Sequence, residues 1–147
     1  MTHINIKIEN MKAQHINEVE NIEKICFANA WTRADLEQQL NLETSHFAVA
    51  TLDGNVVGYM GLQIFSGEGY VTNVAVLPDF RRMGIAKKLI EHQMQNDMSF
   101  ITLEVRESNL PAIKLYESCG FENVGIRPKF YSNPTENAII MTKYFTE

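Results

Sequence analysis

The chain has little cysteine. Its two residues, Cys26 and Cys119, lie far apart, which excludes a disulfide framework or a thiolate metal cluster. They read as small buried thiols in a reducing, cytoplasmic setting. No apolar run approaches the roughly 20 residues that a membrane helix needs, so no membrane partner is expected. Basic residues are in deficit: 13 Lys and Arg stand against 18 Asp and Glu, a formal net charge of −5. That balance argues against direct nucleic-acid binding, which needs a basic face, and is compatible with a basic peptide partner. His3, His15, His46 and His92 are scattered without metal-ligand spacing, and no metal is expected. Neither a Gly-Lys-Ser/Thr phosphate loop nor a Gly-x-Gly-x-x-Gly fingerprint occurs. The start, Met1-Thr2-His3-Ile4-Asn5-Ile6-Lys7, has no basic flank leading into an apolar stretch, so no signal peptide is predicted.

What remains is an ordinary globular composition. The 147 residues, 45% hydrophobic and 21% charged, suit one domain with its own core. Ile4, Ile6 and Ile8 alternate with polar residues and predict a half-buried strand. Ile16, Val19, Ile22 and Ile25 predict an amphipathic helix over 13–28. Thr32 reads as the N-cap of a short helix through Leu36 and Leu40. Strands follow at 47–52, 56–65 and 70–77, joined by turns at Asp53-Gly54-Asn55 and Ser66-Gly67-Glu68-Gly69. A helix over 83–95, a strand over 99–105 and a helix from Ser108 or Asn109 to Gly120 come next. A final strand pair, 121–126 and 137–143, flanks a polar loop at 127–136 with two prolines. The predicted order is β-α-α-β-β-β-α-β-α-β-β, an α/β (α+β) domain with helices on both faces of a single mixed, mostly antiparallel sheet.

The first informative run is Val74-Ala75-Val76-Leu77-Pro78-Asp79-Phe80-Arg81-Arg82-Met83-Gly84-Ile85-Ala86. A strand enters a turn and then a helix whose start carries small residues. Helix N-termini present free N–H groups and a positive dipole end, and Arg81 and Arg82 add charge, so the run could cradle a pyrophosphate. It reads equally as a plain strand–loop–helix whose glycine aids packing. The second run is Leu103-Glu104-Val105-Arg106-Glu107-Ser108-Asn109-Leu110-Pro111-Ala112-Ile113-Lys114-Leu115-Tyr116-Glu117-Ser118-Cys119-Gly120-Phe121. On spacing alone, Asn109 is a helix cap and Tyr116 a core aromatic.

Arg81-Arg82-Met83-Gly84-Ile85-Ala86 resembles the Gln/Arg-x-x-Gly-x-Gly/Ala signature of the GCN5-related N-acetyltransferases, with Ala86 in place of the commoner glycine. The preceding Val74-x-Val76-x-Pro78 and the element order are similar to that family too. The second run resembles its RimI branch, which acetylates the N-terminal alanine of a small-subunit ribosomal protein, the one numbered eighteen. Trp31-Thr32 and the tail from Tyr131 through Ala138-Ile139-Ile140-Met141 agree.

The resemblance implies acetyl-CoA as co-substrate. It assigns the CoA pyrophosphate to the Arg82, Met83, Gly84, Ile85 and Ala86 amides, with Arg81 beside them. It assigns the pantetheine arm to the Val74 and Val76 backbone and to Asn109. It implies Glu104 as general base and Tyr116 as general acid toward the leaving thiolate. Trp31, Tyr131 and Glu68 are then expected against the acceptor, a ribosomal-protein N-terminal peptide, with the enzyme a monomer or weak dimer. A free carboxyl near 4.3 is a weak base, so Glu104 is expected to be partly buried or to act through water, the alternative being an ion pair with a nearby cation. An α-amine is about one-tenth neutral at pH 7, against under about a thousandth for lysine, so it is the easier nucleophile. Trp31 reads alternatively as a packed anchor. Other readings are acetylation of other protein N-termini, acetylation of a small-molecule amine, and a non-catalytic acyl-CoA-binding module.

Overall fold

The structure is a computed structural model and describes residues 5–145. Ile4 of the first predicted strand lies outside the described residues. The elements are β1 (Ile6–Asn10), α1 (Ile16–Cys26), α2 (Arg33–Gln39), β2 (Ala48–Leu52), β3 (Asn55–Phe65), β4 (Glu68–Val76), α3 (Ile85–Gln93), β5 (Phe100–Arg106), α4 (Leu110–Ser118), β6 (Glu122–Tyr131) and β7 (Glu136–Tyr144). Short 3-10 turns at Ala13–His15 and Pro78–Phe80 precede α1 and follow β4. The order is the one the sequence predicts.

One seven-stranded sheet runs β1-β2-β3-β4-β5-β7-β6. β4 and β5 pair in parallel, and every other neighbouring pair is antiparallel. Strand alternation sends side chains to opposite faces. Val49 joins α1 and α2 in a cluster with Ile16, Val19, Ile22, Leu36, Phe47 and Tyr59. Its neighbours Ala48 and Ala50 join Ile85, Leu89 and Ile90 of α3 in a larger cluster on the other face. Each fully buried Ile or Leu there contributes about 1.5–3 kcal/mol.

Two predicted features are corrected. Ile25 is not part of the buried stripe of α1 and is 52% exposed; the stripe is Ile16, Val19, Ile22 and Glu23. A step of 100° per residue places Glu23, seven residues after Ile16, back on the inner face, whereas Ile25 rotates away. The predicted loop at 127–136 is mostly strand, because β6 continues to Tyr131. β6 is an edge strand, where Pro128 need not donate to a ladder. The register shift between Arg127 and Tyr131, with Lys129 at φ 53°, takes the irregular residues out of pairing.

The feature that creates a site is the parting of β4 from β5. They pair at Glu68↔Phe100, Gly69↔Ile101 and Tyr70↔Thr102, and the ladder stops there. On its other side β4 shifts register against β3 between Leu62↔Val71 and Gly61↔Asn73, so Thr72 is an extra, bulged residue. A bulge bends its strand and increases the local twist. Gly61 permits this one, since a Cβ there would collide with Thr72 Oγ1 and the Phe47 ring. Beyond Thr72 the two strands run on apart, to Val76 and to Arg106.

Candidate active site

The gap between the parted strands is the floor of a cleft of about 450 Å³. Val71 to Val74 line it from β4, and Leu103 to Arg106 from β5. Glu23, Phe27, Asn29 and Trp31 form a wall from α1 and the loop after it. Phe130, Tyr131 and Ser132 at the end of β6 form the opposite wall, and Asn109, Ala112 and Tyr116 approach from α4. The cleft thus brings together Trp31, Val74, Glu104, Asn109, Tyr116 and Tyr131, residues the sequence picks out from five separate stretches.

Tyr116 is 8% exposed, packs its ring 5.8 Å from Phe121, and makes no side-chain hydrogen bond among the described residues. Its hydroxyl proton is therefore available to the cleft. Burial first, then the neighbouring Tyr131 and Cys119, hold its phenol well above the ordinary value of 10. Glu104, with a side chain 30% exposed, makes an ion pair with Arg127, whose Nε lies 3.3 Å from Glu104 Oε1. The predicted partial burial and the alternative ion pair are both present.

Tyr131 is held by Arg106, whose guanidinium stacks 4.5 Å from the ring centroid, and by an edge-to-face contact with Phe130 at 5.0 Å. Arg106 also donates to the carbonyls of Ser132 and Pro134 and pairs with Glu136 at 3.2 Å, so one side chain fixes this wall. Glu136 Oε2 accepts the Ser108 N–H at 2.6 Å, which ties the wall to the start of α4. Burial, then the Glu104 charge, push the Tyr131 phenol up to about 12. Asn109 caps α4: its Oδ1 accepts the Ala112 N–H at 3.3 Å. Thr32 caps α2 reciprocally with Asp35. Trp31 packs 5.8 Å from the Phe47 ring and also lines the cleft.

The predicted phosphate cradle lies outside the cleft, at the start of α3. Arg82 and Gly84 have φ of 65° and 78°, and Gly84 is the N-cap. Among the described residues, the amides of Arg82, Met83, Gly84, Ile85 and Ala86 donate to no acceptor in the chain. Five free N–H groups at a helix start, with nothing within 4 Å of a Cβ built on Gly84, fit an anion such as a pyrophosphate. The Arg81 side chain turns back instead, its Nε donating to the Val76 carbonyl at 3.0 Å. Val76 is buried and does not line the cleft.

Glu68 does not line the cleft. It sits at the first position of β4, where β4 and β5 are still paired, and its carboxylate accepts the Tyr70 hydroxyl at 2.9 Å. From β4 the cleft is lined by Val71 to Val74, beyond the paired start of the strand where Glu68 sits. Glu23, Asn73, Phe130, Arg106 and Arg127 also stand at or beside the cleft, without being singled out by the sequence. A carboxylate on the apolar stripe of α1 was the available signal for Glu23; the others depend on the bulge and the β6–β7 register. Among the described residues no group of three His, Cys, Asp or Glu could hold a metal ion, and no helix is long and apolar enough to cross a membrane.

Comparison with known proteins agrees with this geometry. The Acetyltransferase (GNAT) family profile matches residues 16–121. A Haemophilus ducreyi [ribosomal protein bS18]-alanine N-acetyltransferase is 33% identical over 144 residues, covering 93% of this chain and 99% of its own length. A Saccharolobus solfataricus N-alpha-acetyltransferase is 31% identical over 153 residues, covering 92% of this chain and 91% of the relative. The crystal structure of the Escherichia coli ribosomal-protein-S18-alanine N-acetyltransferase superposes with a TM-score of 0.88 at 28% identity, over 97% of this chain and 96% of that one. The chain belongs to the GNAT acetyltransferase family, enzymes that take their acetyl group from acetyl-CoA.

Proposed function

We propose that this enzyme acetylates the N-terminal alanine of ribosomal protein bS18, with Glu104 as general base and Tyr116 as general acid. The observation that carries the reading is the meeting of Glu104 and the unbonded Tyr116 hydroxyl in the cleft between the parted strands. Relatives bearing the bS18-alanine name at 30–33% identity over more than nine-tenths of the chain support the acceptor.

Acetyl-CoA supplies a thioester, an acyl group on a good leaving thiol. The amides of Arg82 to Ala86 hold its pyrophosphate, with the Arg81 charge close by. The Val74 backbone and Asn109 hold the pantetheine arm; the Val76 carbonyl is already taken by Arg81. Trp31 and Tyr131 flank the acceptor peptide. Glu104 takes a proton from the α-ammonium, directly or through water, exchanging its Arg127 contact for the amine. The freed amine attacks the thioester carbonyl and the C–S bond breaks. Tyr116 protonates the departing thiolate, and the second proton shed by the nitrogen restores the phenol. Burial holds that phenol above its ordinary value and so keeps it protonated at working pH. Cys119 is buried and reserved for packing, so transfer is direct. The free thiols fit a reducing cytoplasm.

A second reading, action on other protein N-termini, is favoured by the N-alpha-acetyltransferase relatives. A panel of amines decides: α-amine peptides differing in the first residue, a lysine peptide with a blocked N-terminus, and a polyamine. The Ala-starting bS18 peptide should show the highest kcat/KM. Preference for the polyamine or for lysine would reject the proposal.

A further inference from the structure

Glu23 is a carboxylate buried to 0% exposure, and among the described residues no Lys, Arg or His pairs with it. A buried charge without a counter-ion is costly, so its hydrogen bonds must hold it. Three donors from three parts of the fold do so. Tyr59 Oη of β3 donates at 2.5 Å, Asn73 Nδ2 beside the β4 bulge at 3.2 Å, and the Trp31 backbone N–H at 2.8 Å. Hydrogen bonds to an ionised acceptor are roughly twice as strong as neutral ones. The backbone carbonyl of Glu23 also accepts the Phe27 N–H at 2.9 Å. One residue therefore grips the α1–α2 loop at both ends, at Phe27 through its carbonyl and at Trp31 through its carboxylate.

Asn73 and Trp31 line the cleft, whereas Tyr59 does not. With its Nδ2 directed at the carboxylate, Asn73 has only one amide orientation open to it. Among the described residues its Oδ1 is left as a buried acceptor without a partner. Burial, then the Glu23 charge, hold the Tyr59 phenol far above its ordinary value, so it remains a donor at working pH.

We infer that Glu23 is a positioning residue for the acceptor side of the cleft. Its carboxylate locks the Trp31 loop and the Asn73 bulge into one frame, anchored from behind by Tyr59. The inference rests on the cleft being the acceptor site proposed above.

Tyr59→Phe is the sharpest test, because it removes one donor to Glu23, keeps the ring against Phe47 and changes a residue that does not itself line the cleft. Loss of one charge-assisted hydrogen bond should raise the acceptor KM about tenfold. The kcat should fall less than about twofold, and the acetyl-CoA Kd should change less than about twofold, for an effect confined to the acceptor wall. Glu23→Gln should raise the acceptor KM further, again with acetyl-CoA binding intact. A lower Tm with the acceptor KM unchanged in Tyr59→Phe would make Glu23 a core carboxylate and overturn the inference. Equal weakening of acetyl-CoA and acceptor would overturn it too. The KM is read on whichever amine the wild type prefers, so a failed bS18 assignment is seen in the wild type and leaves this test standing.

Discussion

Arg127 Nε stands 3.3 Å from Glu104 Oε1, so the proposed base rests in an ion pair. The arginine is 57% exposed and the pair is open to solvent, which limits its worth to about 0–1 kcal/mol. Were Glu104 there only to hold Arg127, either partner's loss would have the same effect. As a base, it should matter far more than its partner. Glu104→Gln should lower kcat by about 10²–10⁴, while Arg127→Ala stays within about tenfold of wild type. Steady-state kinetics on both variants check this, and a parallel fall would assign Glu104 to structure.

Tyr116→Phe should reduce kcat by about 10²–10⁴ and leave the acetyl-CoA Kd within about twofold. Among the described residues Tyr116 makes no side-chain hydrogen bond to lose, so the Tm should barely move. Calorimetric Kd, Tm and turnover on one preparation separate the outcomes. A fall in Tm with normal kcat would make Tyr116 a core aromatic.

Alkaline pH gives a prediction whose sign is fixed. Tyr116 and Tyr131 both have raised phenol pKa values in the fold, Tyr131 at about 12. An unfolded phenol ionises near 10. The native state therefore holds its protons longer, and the unfolded state loses them first. The resulting stability is complete below about pH 10 and disappears as pH rises through the raised native values. The urea midpoint should hold up to about pH 10 and then decline, and Tyr131→Phe should flatten part of that decline toward about pH 12. An identical slope in wild type and variant would contradict it.

Gly84 occupies the left-handed region at φ 78°, beside the free amides of the cradle. Gly84→Ala has room for its methyl but carries backbone strain of about 1–2 kcal/mol. The relaxed loop should no longer aim its N–H groups at the pyrophosphate. The acetyl-CoA Kd should rise by about tenfold or more, read by titration calorimetry, with the acceptor KM little changed. Unaltered acetyl-CoA binding would place the pyrophosphate elsewhere.

The order of elements was legible because hydrophobic periodicity and turn residues are local. Thr32 and Asn109 announced helix starts, and Asp53-Gly54 a hairpin. The cleft was legible only through motif resemblance, since its opening depends on where the β4–β5 ladder stops. Thr72 bulges because Gly61 on the neighbouring strand gives way, a relation between distant residues with no local signature. The place of Glu68 relative to the cleft is set by that same ladder, where it pairs with Phe100. Glu23 was visible as a carboxylate on an apolar stripe, yet its three donors lie 8, 36 and 50 residues away.

The central claim is transfer of an acetyl group to one α-amine. The most direct test incubates the enzyme and isotopically labelled acetyl-CoA with unacetylated bS18, then maps the label by fragment-ion mass spectrometry. One labelled acetyl group is expected, on the N-terminal alanine, and none with Tyr116→Phe at matched times. Label on lysine side chains alone, or a protein left unlabelled, would contradict it.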